Sequence, residues 1–144
     1  MIKFVSIPLL ALALSLPAAA SAQGFSGRKF VRIPVLPIDA NTFEAVENDG
    51  AAGSHMWCAA ARFAREYLNE RGGDLFVKQA LGPSAAFPGR KSVIFTTRPV
   101  PDAFNTYTHS IRNVGQKFSQ AHGYAICRTQ ERERYYVSVN VVRR

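Results

Sequence analysis

Two cysteines and three histidines are the first residues of this 144-residue chain to weigh for covalent or metal chemistry. Cys58 falls early in the segment SHMWCAAARFAREYLNERGG (54–73), which has a helical pattern, and His122 lies far downstream. Near a helix N-terminus, unpaired N–H groups and the helix dipole favour a thiolate, and a histidine on a later strand can act as its base. That order describes a small cysteine hydrolase using Cys58 and His122. The local sequence MWCAAA lacks the papain-type signature, however, and the only other cysteine, Cys127, offers a competing fate. A disulfide between Cys58 and Cys127 would consume the nucleophile, and we favour that pairing.

The same inventory limits metal chemistry. Two cysteines exclude an all-cysteine zinc site and a single-chain iron–sulfur cluster. His55 and Cys58 are spaced i,i+3, with Asp49 upstream and His122 downstream, but this is neither HExxH nor a compact Cys/His pattern. No glycine-rich nucleotide fingerprint or GxSxG elbow occurs. The expectation is a domain with no metal and no cofactor.

Binding chemistry is better supported than catalysis. The formal charge is +8, and residues 112–144 hold seven basic and two acidic side chains interleaved with Phe118, Tyr124, Tyr135 and Tyr136. Such a surface attracts anions. Read as a strand, 117–127 divides by parity, with Gln120, His122 and Tyr124 sharing a face and Ser119, Ala121, Gly123, Ala125 and Cys127 forming a small-residue face. Cross-strand neighbours Tyr136, Ser138 and Asn140 would extend the first face. Gln120, His122, Tyr124, Tyr136 and Asn140 are therefore the expected ligand-binding residues, and an anionic glycan, a lipid surface or an acidic envelope protein is the expected partner.

Residues 1–22 carry one early lysine, an apolar run over 4–16, Pro17 and a small-residue ending Ala20-Ser21-Ala22, which is the order of a secretory signal peptide. The run is too short for the roughly 20 residues of a membrane span, and no later run approaches that length. Cleavage after Ala22 predicts an exported protein, periplasmic or extracellular, with residues 23–144 as a single domain. Export argues against intracellular nucleic acid as a partner and places both cysteines where a disulfide persists.

The elements that must position these residues follow from periodicity. KFVRIPVL (29–36) alternates as a strand, with Pro34 keeping it near a sheet edge. A short helix is expected around 41–46, before the loop NDGAAG (48–53). The main helix has Ser54 as its expected N-cap and Gly72-Gly73 as its stop, and its buried face is centred on alanine. GDLFVKQAL and GRKSVIFTTR flank an eight-residue Gly/Pro/Ala-rich connection, too short for a crossover helix, so a hairpin is expected. Residues 98–115 have no clear period. KFSQAHGYAIC (117–127) and RYYVSVNVV (134–142) are expected as the last strands, with RTQERE as a hairpin tip. The resulting expectation is an α+β domain in which one principal helix crosses an antiparallel sheet of four to five strands. The disulfide would staple that helix to the sheet.

Overall fold

A computed structural model describes residues 27–143. The expected signal peptide, residues 1–22, and its cleavage site lie outside the described residues. Seven strands and two helices follow in the order β1 (Lys29–Pro37), β2 (Thr42–Val46), α1 (Gly53–Glu66), β3 (Asp74–Pro83), β4 (Lys91–Thr96), β5 (Phe104–Asn105), β6 (Gln116–Ser119), α2 (Gln120–Arg132) and β7 (Tyr135–Val141). The strands form one sheet in the order β5-β6-β3-β4-β2-β1-β7.

The class is α+β, but the expected architecture needs correction: there are two helices, and the seven-stranded sheet is mixed. β1 pairs in parallel with β7 across seven residue pairs, from Lys29↔Tyr135 to Val35↔Val141, and β5 pairs in parallel with β6. The remaining ladders are antiparallel, including the expected β3–β4 hairpin. Pro34 is accommodated because the β1–β2 ladder covers only Val35 to Pro37, leaving Pro34 just outside it. The edge strand beyond β1 is β7.

Residues 41–46, expected as a short helix, include strand β2. Its five residues TFEAV are all buried between β1 and β4, and sheet burial outweighs their weak helical tendency. The segment 117–127, expected as a strand, is strand only through Ser119. There Ser119 Oγ accepts the His122 N–H at 3.1 Å, a side-chain N-cap, and α2 begins. RTQERE is consequently the last turns of α2 and not a hairpin tip.

The core forms where Val31, Ile33, Val35, Phe43, Ala45, Leu75, Val77, Val93, Phe95 and Val137 on one sheet face meet α1. Every residue of α1 from His55 to Ala61 is buried, so this helix lies between the sheet and a second layer, which α2 supplies. The closest approach is at Gly123, where a Cβ would stand 2.8 Å from the Ala61 Cβ and 3.4 Å from the Trp57 carbonyl oxygen. Of the expected small-residue face, Gly123 and Cys127 are buried against the alanine-rich side of α1, as a helix against a helix, whereas Ser119 and Ala121 are exposed and Ala125 is half-buried. The Cys58–Cys127 disulfide therefore links α1 to α2, with a Cα–Cα distance of 4.9 Å and a sequence separation of 69. The expected helix-to-sheet staple is corrected to a helix-to-helix one.

Helix α1 also begins and ends differently from expectation. Its N-cap is Ala52, which has no capping side chain, and Nδ1 of His55 accepts the Ala52 N–H at 2.9 Å from three residues on. A histidine thus performs the return half of a capping box. The helix ends at Glu66, with Tyr67 as C-cap, before the glycines at 72 and 73. Gly53 is required at the first turn because a Cβ there would run into the His109 carbonyl group.

Candidate functional site

The five expected ligand-binding residues do not share one face. Gln120 and Tyr124 remain together because positions i and i+4 coincide under both a strand period and a helix period. His122 does not, since two residues along a helix is a rotation of about 200°. Its exposed ring stacks on Phe118 at 4.6 Å and lies 6.1 Å from the exposed ring of His109. Burial holds His109 below the usual histidine range, and the neighbouring His122 lowers it further.

On β7, Val137 is in the core and Val139 and Val141 pack against it, so Tyr136, Ser138 and Asn140 alternate to the sheet face away from the helices. Tyr136 meets Phe30 at 5.9 Å, and the Arg62 guanidinium lies 5.7 Å from its ring. Arg62 also donates to the Val137 carbonyl at 2.8 Å, closing part of the free edge of β7. Asn140 is exposed opposite Pro34.

The hydrolase alternative is not assembled either. Both sulfurs are in the disulfide, Cys58 is fully buried, and His122 is exposed on α2. Among the described residues, no three His, Cys, Asp or Glu side chains converge as a metal-ligand set. His55 is buried, its Nδ1 is committed to the α1 cap and its Nε2 has no hydrogen-bond partner among the described residues. Burial lowers its proton affinity, against opposing contributions from the Gln130 side chain and the Glu133 charge.

The strongest polar constellation surrounds Gln120. This first residue of α2 is only 5% exposed, yet neither its amide oxygen nor its amide nitrogen has a hydrogen-bond partner among the described residues. An unsatisfied buried amide costs about 1–3 kcal/mol. Gln120 lines a pocket of about 120 Å³ together with Ala61, Arg65, Arg71, Ala121 and Tyr124. Such a space is well below the roughly 300–1,000 Å³ of drug-sized ligand sites, so it suits one compact group. Three independent positive features converge here: two guanidinium groups and the N-terminal end of the α2 dipole, equivalent to roughly half a charge.

The neighbouring acids are engaged elsewhere. Glu66 pairs with Arg62 at 3.3 Å, Asp74 pairs with Lys117 at 3.3 Å, and Glu70 accepts from Thr97 at 3.1 Å. Neither Arg65 nor Arg71 is in an ion pair among the described residues. The Arg65 guanidinium lies 4.4 Å from the centre of the Tyr124 ring, a cation–π contact that restrains it beside the pocket.

Sequence reasoning found Gln120 and Tyr124 but missed Arg65 and Arg71, which read as a solvated helix face and a helix stop. Their signal lies in the folded arrangement: among the described residues both stay without an ion pair, in a segment where Glu66, Glu70 and Asp74 each have another partner. No protein-family model, no curated protein and no solved structure matches this chain.

Proposed function

We propose that this disulfide-stapled α+β domain is an exported, noncatalytic binding domain that takes a compact oxyanion at the pocket formed by Arg65, Arg71, Gln120 and Tyr124. The observation that carries this reading is the buried Gln120 amide, unpartnered and lining a small pocket beside two guanidinium groups that lack acidic partners. A phosphate, sulfate or carboxylate group supplies acceptors for the amide N–H₂ and for both arginines. Its negative charge also complements the N-terminus of α2. The pocket's size favours a single terminal oxyanion over an extended polyanion lying along the surface, and the signal-peptide-like order of residues 1–22 favours an envelope or extracellular source.

Titration of the protein with inorganic phosphate, sulfate and acetate at low ionic strength, followed by amide NMR, tests the proposal. The expected result is saturable shifts at 61, 65, 71, 120, 121 and 124, weakening as salt is added. Gln120→Met preserves volume and apolar burial, and it should lower affinity at least tenfold in a folded protein; Arg71→Gln should do likewise. Saturable binding by both variants at the wild-type affinity, or no shifts at these positions in the wild type, would overturn the assignment.

A further inference from the structure

The sheet face opposite the helices carries a second unusual polar residue, Glu44. It lies in the middle of β2, where the register places it between Leu36 of β1 and Ile94 of β4. A strand position flanked in this way normally holds an apolar side chain, yet Glu44 is a carboxylic acid only 6% exposed. Charged residues are rarely so buried without a counter-charge, and none of the ion pairs among the described residues involves it.

Its hydrogen-bond donor comes from the β3–β4 connection. Ser84 Oγ donates to Glu44 Oε1 at 2.5 Å while accepting the Phe87 N–H at 3.0 Å, and the Ser84 N–H donates to the Arg90 carbonyl at 2.8 Å. These contacts hold the loop over the sheet so that Ala85 and Ala86 line a groove of about 700 Å³ with Leu36, Ile38, Glu44, Ile94 and the exposed Arg143. The volume lies within the range of small-ligand sites, and a mainly apolar lining with a small number of placed polar groups, here Glu44 and Arg143, is the usual composition of such sites.

We propose that this groove binds an amphiphilic cation, with an alkyl or aryl body lying over Leu36 and Ile94 and a primary ammonium group donating to Glu44. The choice of charge rests on burial. Arg143 is exposed and its field is screened by solvent, whereas Glu44 acts within a low-dielectric lining where a partner of opposite charge gains most. Ser84 occupies one hydrogen-bonding direction of Oε1 and holds the carboxylate in place for the incoming donor. This site is separate from the oxyanion pocket, which is lined by α1, α2 and the segment after α1.

Octylammonium, octanol and octanoate at neutral pH, each below its aggregation threshold, provide the test, read by amide NMR on the full domain. Octylammonium should shift residues 36–38, 44, 85–86 and 94 saturably and bind at least tenfold more tightly than octanol or octanoate. Glu44→Gln should remove most of that preference. Ile94→Trp retains the carboxylate and fills the groove, so it should abolish binding in a protein that remains folded. The proposal is overturned if octanoate binds as well as octylammonium, if Ile94→Trp leaves the affinity unchanged, if folded Glu44→Gln keeps the preference, or if octylammonium produces no shifts at these residues.

Discussion

The two helices sit against each other, yet they are built on opposite principles. Helix α1 buries an almost continuous run, His55 to Ala61, because the sheet covers one side and α2 the other. Helix α2 buries Gln120, Gly123, Ile126, Cys127 and Gln130, a stripe at helical spacing in which two of the five are amides and one has no side chain. One helix is apolar enough to announce itself, while the other is held by a disulfide, a close backbone approach and a side-chain cap. A helix whose contact stripe is polar or small thus depends more on specific geometry than on apolar area, and its failures should be local and sharp.

Removing the cross-link tests that contrast most severely. Cys58→Ser or Cys127→Ser should each lower stability by about 2–4 kcal/mol, with similar losses for the two because they break the same bond; equilibrium denaturation under oxidising conditions measures this. A loss confined to one variant would show that the two helices do not share the staple's effect.

Next in size is the close approach at Gly123. Gly123→Val adds side-chain volume where even a Cβ lies 2.8 Å from Ala61, and it should cost about 1–3 kcal/mol. Combining it with Ala61→Gly should recover part of the loss, a coupling that a double-mutant cycle detects. Strict additivity would place the cost outside the helix contact.

A smaller effect of opposite sign is expected at the start of α2. Gln120→Met removes a buried, unpartnered amide and should raise stability in the absence of anion by about 1 kcal/mol, while abolishing the stabilisation that phosphate gives the wild type. Thermal unfolding with and without phosphate separates the two.

The smallest effect belongs to the α1 cap. Burial lowers the His55 pKa in the folded state, so below the unfolded value of about 6.5 the unfolded chain binds more protons. Stability should therefore fall as pH drops from 7.5 through 6.5 and continue falling until the lower, folded-state pKa is passed. His55→Gln keeps an acceptor for Ala52 and removes the titration, and it should flatten this slope. His109, lowered in the same direction, leaves a residual slope.

The same contrast explains how much was legible beforehand. The disulfide partners, α1, the β3–β4 hairpin and strands β1 and β7 could be read from cysteine count, helical periodicity and short turn-rich connections. Helix α2 could not, because Gln120 and Gln130 occupy positions where a helix normally displays apolar residues, and Gly123 lowers helix propensity at the place where packing demands it. Ser119 followed by a helical stripe was the available sign, hidden by an accidental alternation of larger and smaller residues. Losing α2 also cost the parallel β7 pairing, which needs such a crossover. Of the proposed oxyanion site, Gln120 and Tyr124 survived the change of period, whereas Arg65 and Arg71 acquire meaning only once the acids around them are seen to be occupied.

The parallel β1–β7 pairing has a mechanical consequence. The first and last strands are neighbours running in one direction, so tension applied at Lys29 and Val141 pulls them past each other along their length. The load is then shared across seven residue pairs in shear and cannot peel them apart one at a time. A domain of this topology resists being drawn out from its two ends far better than its modest size suggests.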